Sequence, residues 1–210
     1  MADNLAQYGF RPFSRRTSAP PVLRSVATGQ DDRDDAAASV GINIGDPVTQ
    51  VDTGGVIVCK TTVKPWGIVV GINAYYDGTR MVFGKALPNQ TSWGSVEDRR
   101  SLLLVQPVES YNWEIDCDNA TLPAGAATTR ALWETVIGNN VTHVCVKVGT
   151  KATPLIDIST AATTEDLVWR IERISPTLYN KDFTGANVKI VVSCNDGMWA
   201  GMPATSIVGT

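Results

Sequence analysis

Thiols, one imidazole, a run of alternating carboxylates and several loop tryptophans are the side chains here that could do chemistry. The imidazole sets the tightest limit. His143 is the single histidine in 210 residues, so a zinc site with two or three imidazoles is excluded and a nucleophilic triad has one candidate base. His143 stands in VTHVCVKV, two residues from Cys145. On a strand such residues share a face, which makes a Cys–His pair geometrically available. An active thiolate also needs oxyanion donors and an orienting third group, and the neighbouring sequence offers neither. The expectation for His143 is a strand residue facing solvent or capped by a backbone carbonyl.

The four cysteines, Cys59, Cys117, Cys145 and Cys194, are too far apart for a CxxC knuckle or redox pair. Each lies in or beside an apolar, β-branched run and reads as a small buried hydrophobe, with long-range disulfides as the alternative. Glu114, Asp116 and Asp118 alternate in YNWEIDCD and fall on one strand face. Three such carboxylates suit Ca²⁺, or they form the polar side of a strand whose apolar side holds Trp113 and Ile115. No phosphate loop is present: Gly78 and Gly84-Lys85 are one residue too far apart, and Ala86 stands where Ser or Thr would hold Mg²⁺. Neither GxGxxG nor GxSxG occurs. No cofactor and no metal is expected. Of six tryptophans, Trp66, Trp113 and Trp169 fall in strand patterns and read as core. Trp93 and Trp199 sit in glycine-rich loops and are candidate interface anchors.

The elements that would position these groups are short. With 18 Gly and 11 Pro, long helices are disfavoured, while 43% hydrophobic residues suffice for a core. From Ile42 onward the sequence reads as successive strands: DPVTQVD, VIVCKTTV, WGIVVGINAYY, TRMVFGKAL, SLLLVQPV, YNWEIDCD, VTHVCVKVG and NVKIVVSC. The segment LVWRIERIS fits both templates. We read it as a strand with Leu167, Trp169 and Ile171 on one side and Arg170 and Glu172 on the other, stopped by Ser175-Pro176. Residues 126–138 are the better helix candidate. The fold expected is mostly β, a single β-sandwich or β-barrel of jelly-roll type at residues 40–210, with at most one or two short helices.

Residues 1–39 read as an extended N-terminal arm and an acidic linker. Arg11, Arg15, Arg16 and Arg24 face a single Asp3, and Tyr8, Phe10 and Phe13 are interleaved with them. Pro12, Pro20 and Pro21 block helix formation. Ordering residues 1–24 costs roughly 24 kcal/mol at ~1 kcal/mol per residue. That cost needs on the order of 1,000 Å² of apolar burial at ~25 cal/mol/Å². The arm's own composition does not offer so much, which points to a large partner surface. The net charge of −3 argues against a polyanion-coating protein. The opening residues have no apolar core of a secretory signal, and no apolar stretch reaches bilayer length. No membrane and no direct nucleic-acid partner is expected, and the Asn-x-Thr sequons at Asn89, Asn119 and Asn140 then carry no meaning.

The opening Asn4-Leu5-Ala6-Gln7-Tyr8-Gly9-Phe10-Arg11-Pro12 resembles the start of a family of small structural proteins of tailed-bacteriophage heads. That family's opening runs Asn-Ala-Pro-Phe-Gly-Phe/Leu-Arg-Pro, and Gln7 stands where it has Pro. The similarity continues at Ile44-Gly45-Asp46-Pro47-Val48, at Gly67-Ile68-Val69-Val70-Gly71, at Trp113-Glu114-Ile115-Asp116, and at LVWRIERISP and ANVKIVVSCND. The resemblance implies a decoration or cement protein, made in the host cytoplasm and resident on the capsid surface of the virion. Such a protein is no enzyme. Its partner is the major capsid protein, whose neighbouring subunits it clamps as a homo-oligomer, a dimer or trimer. Tyr8, Phe10, Arg11, Phe13, Arg15 and Arg16 would be the capsid-binding arm, with Trp93 and Trp199 as interface aromatics. The alternatives are a β-rich carbohydrate- or receptor-binding module of the virion, using Trp93, Trp199 and the Asp116/Asp118 pair, or a head–tail connector component.

Overall fold

β-Branched runs interrupted by glycine and proline make many short strands, and the chain is mostly β. A computed structural model describes residues 9–24, 26–31, 41–50, 55–59, 63–76, 80–84, 86–87, 103–118, 121–123, 125–126, 129–148, 151–163, 167–177, 180, 183–184 and 187–195. Its first ten strands are β1 (Arg11–Arg15), β2 (Val22–Arg24), β3 (Val26–Asp31), β4 (Ile42–Asn43), β5 (Pro47–Gln50), β6 (Val56–Val58), β7 (Gly67–Ile72), β8 (Tyr75–Tyr76), β9 (Met81–Val82) and β10 (Ala86–Leu87). There follow β11 (Leu103–Pro107), β12 (Tyr111–Asp116), β13 (Thr121–Leu122), β14 (Gly125–Ala126), the helix α1 (Arg130–Glu134), β15 (Asn140–Val148), β16 (Lys151–Ala162), β17 (Trp169–Ile174) and β18 (Lys189–Cys194).

Two six-stranded sheets carry the architecture, in the orders β1-β12-β18-β17-β15-β16 and β2-β11-β7-β5-β6-β3. Among the described strand pairs whose register is known, β3 against β6 is parallel and the others antiparallel, and an isolated Cys117–Ile156 bridge is also parallel. Neither sheet closes into a barrel. The chain divides into two compact units. The first takes the described residues of Met1–Arg15, Tyr111–Val144 and Leu155–Thr210, the second those of Arg16–Ser110 and Cys145–Pro154. Residue 39, where the sequence places the end of the arm and linker, lies outside the described residues.

The first unit shows how one sheet separates its residues. Register sets Trp113 opposite Val192, Ile115 opposite Ile190 and Ile171 opposite Val192, so these side chains share a side, and all are buried. Glu114, Asp116, Lys189 and Ser193 project from the other. Strict alternation would bury Arg173, but a bulge between Ile171 and Arg173 resets the phase. Arg170, Glu172 and Arg173 are therefore exposed while Ile171 and Ile174 are buried. The strand reading of LVWRIERIS is correct. The helix expected over 126–138 contracts to α1, capped by Thr129, whose side chain accepts from the Leu132 N–H at 3.4 Å. It delivers Trp133, fully buried, to the Phe183 carbonyl at 3.0 Å.

In the second unit Ile42, Val48, Val56, Val58, Val69, Leu87, Leu103 and Val105 form the core, with Trp66, Ile72 and Val82 packed against it. The Arg24 guanidinium lies 4.6 Å above the Trp66 ring, a cation–π contact. Ile44-Gly45-Asp46-Pro47 is a tight turn: Gly45 takes φ +96°, and buried Asp46 accepts the Asn43 N–H at 2.8 Å. These roles explain that motif structurally.

Gly67 marks the closest backbone approach. A β-carbon there would lie 2.6 Å from both the Gln106 carbonyl oxygen and Val105 Cγ1, whereas at Gly71 the nearest atom, Leu104 Cβ, is 3.3 Å away. Gly67→Ala should destabilise the fold by about 1–3 kcal/mol, clearly more than Gly71→Ala, in paired urea denaturations. Equal costs would mean that β7 and β11 can part freely.

Candidate functional site

The structure changes the meaning of the arm residues. Residues 9–24 are extended, as expected, but not detached. β1 pairs antiparallel with β12, placing Arg11 opposite Glu114 and Arg15 opposite Tyr111 with a bulge between Pro12 and Ser14. Phe10 is 2% exposed and stacks on Trp169 with ring centroids 4.3 Å apart. Arg11 reaches Glu114 at 3.0 Å, Arg173 lies 4.7 Å over the Phe13 ring, and Asn112 donates to Ser14 Oγ at 3.0 Å. Beyond β1, the Arg16 and Thr17 N–H groups both donate to the Ser110 carbonyl, and Gln106 donates to the Ala19 carbonyl at 2.9 Å. Backbone pairing, one ion pair and one buried ring thus supply what the composition estimate, which counted only apolar area, denied. Arg15 and Arg16 are exposed. Tyr8, Trp93 and Trp199 lie outside the described residues.

His143 corrects its expectation as well. It is 1% exposed rather than solvent-facing, packs edge-on against Phe10 and Trp169 with centroids 6.3 Å away, and accepts the Trp169 indole N–H on Nδ1 at 3.2 Å. A nitrogen that accepts that bond carries no proton, so the imidazole is a packing and acceptor group here. All four cysteines are buried and none is in a disulfide, as the small-hydrophobe reading requires. Burial pushes the Cys117 thiol well above its ordinary value, with Asp118 and Asp116 adding to the rise, so it is no thiolate nucleophile.

The three alternating carboxylates do not assemble into a calcium site. Glu114 is held by Arg11 and accepts a short hydrogen bond from the Ser175 hydroxyl. Asp116 is fully buried and faces Lys189, whose Nζ lies 3.0 Å from Oδ1. Asp118 accepts the Ile158 N–H at 3.4 Å. Among the described residues no group of three or more His, Cys, Asp or Glu could hold a metal. What β12 builds instead is a charge cluster of two acids and two bases, Glu114, Asp116 and Lys189 buried and Arg11 partly exposed at its edge. Asn180 closes one end. It accepts the Lys189 N–H at 2.9 Å and donates to the Lys189 carbonyl at 2.8 Å and the Ser175 carbonyl at 3.0 Å.

Lys189 is the member that sequence reasoning missed. The signal was a lone lysine inside VKIVVSC, an apolar run where a charge needs a partner across the ladder. Burial raises the Asp116 carboxyl above its ordinary value of 3.8, Lys189 and Arg11 pull it back, and Glu114 pushes it up again.

No protein-family model matches the sequence, and comparison with curated proteins and with solved structures returns no match.

Two outcomes follow from this geometry. Phe10→Ala should cost about 3 kcal/mol of stability, measured by thermal or urea unfolding, where a detached arm would show no cost. Lys189→Met leaves Asp116 buried without its cation, at about 3–5 kcal/mol, and Lys189→Met/Asp116→Asn should recover much of that at neutral pH. A carboxyl whose folded pKa is raised stabilises the fold below its unfolded value and loses that contribution as pH climbs through the folded one. The gap between single and double variant should therefore close as pH falls toward 3.8. A gap independent of pH would show that Asp116 does not titrate in the fold.

Proposed function

We propose that this chain is a non-enzymatic capsid cement protein, binding the outer surface of a phage head and clamping neighbouring major capsid subunits as a homo-oligomer. The observation that carries the reading is Phe83. It is 82% exposed, with Met81 two residues earlier at 57%, beside the hairpin of β8 and β9. A phenylalanine left so far in water stabilises nothing internally, and large exposed aromatics characteristically anchor interfaces. The resemblance of the opening segment, the Ile44–Val48 turn and the C-terminal strands to phage head proteins supplies the partner. A further support is that the groups suited to catalysis, His143, Cys117, Glu114 and Asp116, are all engaged inside the first unit.

The arm mechanism changes accordingly. Phe10, Arg11 and Phe13 hold β1 to its own sheet, so the clamp's contacts are assigned to the surface bearing Phe83 and Met81. Binding the assembled shell in preference to free subunits stabilises the shell by mass action. The carbohydrate-binding alternative has less support, because Asp116, one of its two carboxylates, is fully buried and faces Lys189.

Phe83→Asp should weaken binding to purified expanded heads by roughly thirtyfold or more, a hot-spot loss of about 2 kcal/mol. As a surface change it should leave unfolding within about 0.5 kcal/mol of the parent. Sedimentation with heads and thermal unfolding read the two effects separately. Full-strength binding by the variant removes Phe83 from the interface, and failure of the parent chain to bind heads removes the capsid reading altogether.

A further inference from the structure

The Lys189–Asp116 contact is built unlike an ordinary ion pair. Both side chains are almost entirely out of water, 9% and 0% exposed, with Nζ 3.0 Å from Oδ1. Neither Asp116 oxygen makes a hydrogen bond of normal geometry among the described residues, so only the amine addresses the carboxyl group. The backbones on both sides are fixed. Asp116 and Lys189 are register partners at the end of the β12–β18 ladder, Asn180 grips the Lys189 N–H and carbonyl, and the Cys117 N–H donates to the Val188 carbonyl at 2.9 Å. Burial raises the Asp116 carboxyl against the pull of Lys189 and Arg11, which favours the neutral acid. A second carboxylate, Glu114, lies two residues along the same strand face and further disfavours ionised Asp116.

We propose that Lys189 and Asp116 condense spontaneously into an intramolecular isopeptide bond. The ammonium passes one proton to the Asp116 carboxylate, giving a neutral amine and a neutral acid. The Nζ lone pair attacks Cγ and forms the C–N bond. The C–O bond to the protonated oxygen breaks, and the hydroxyl leaves with a second proton from nitrogen as water. One amide and one water result, with no change of oxidation state and no co-reactant. Held in register, amine and acid react at effective concentrations of roughly 10⁵–10⁸ M. The product removes two buried charges and covalently joins β12 to β18. The proposal goes beyond the capsid reading and does not depend on it.

Intact mass spectrometry of the purified parent chain is the test. The mass should fall below the sequence mass by one water. Trypsin should fail to cut after Lys189, and residues 101–130 should be recovered joined to residues 182–210. Lys189→Arg keeps a cation but should restore the sequence mass. Asp116→Asn should yield the same joined peptides by losing ammonia instead. A folded parent chain at its full sequence mass after prolonged incubation overturns the proposal. So does a water loss that persists in Lys189→Arg or leaves residues 101–130 unjoined, which would indicate a succinimide at Asp77-Gly78 or Asp196-Gly197.

Discussion

Two carboxylates on one face of β12 must be buried, and the first unit is arranged around meeting that demand. An uncompensated buried charge costs several kcal/mol, while a buried pair with good geometry comes close to even against apolar packing. Glu114 obtains Arg11 from β1, and Asp116 obtains Lys189 from β18. The ends of the sequence are thus drawn to opposite edges of the same strand for one electrostatic reason. Ser175, from the stretch after β17, donates to Glu114, and Asn180 holds the Lys189 backbone. Apolar residues alone would give a sheet without this specificity, since Trp113 and Ile115 accept many apolar neighbours but buried Glu114 needs a cation or a hydrogen-bond donor. Charge pairing therefore fixes which strands lie beside β12, and hydrophobic burial on the opposite side, at Trp113, Ile115, Ile190 and Val192, supplies the main driving force.

Much of the body was legible because strand periodicity and turn residues act locally. VIVC, GIVVGI, YNWEI and KIVVSC are read as strands from two-residue alternation or continuous β-branched runs, and Ser175-Pro176 stops β17 where expected. The helix at Arg130–Glu134 was legible from ALWE but not its brevity, which depends on Trp133 finding the Phe183 carbonyl. Register was not legible. The alternation of Glu114, Asp116 and Asp118 looks the same whether it faces water, calcium or two bases, and only the pairing of Arg11 with Glu114 and Lys189 with Asp116 decides it. The solvent-facing expectation for His143 failed for the same reason: a histidine two residues from a cysteine gives no hint of an indole across the sheet.

The N-terminal segment shows how one composition supports opposite conclusions. Basic, aromatic and proline-containing residues describe an arm seeking a partner, and the partner for Phe10, Arg11 and Phe13 is the chain's own sheet. Apolar area alone does not offset the backbone entropy of ordering this segment. The ladder bonds of β1 to β12, a charge-assisted contact to the buried Glu114 carboxylate, and the stacking of Phe10 on Trp169 contribute as well. An edge strand recovers much of its ordering cost through such pairing. The bulge between Pro12 and Ser14 follows from the proline, which has no N–H to donate to the ladder.

A segment already ordered also changes what any binding partner must supply. Coupled folding subtracts the cost of ordering from the gross interaction energy, and a disordered arm would bind a shell with that handicap. With β1 fixed in advance, contacts at a rigid surface convert more fully into affinity. Few large anchors then suffice, which is the role proposed for Phe83 with Met81. The same rigidity holds amine and acid together at Lys189 and Asp116. A pair that could drift apart would remain a costly buried ion pair, whereas one clamped from both strands has a chemical route to losing its charges.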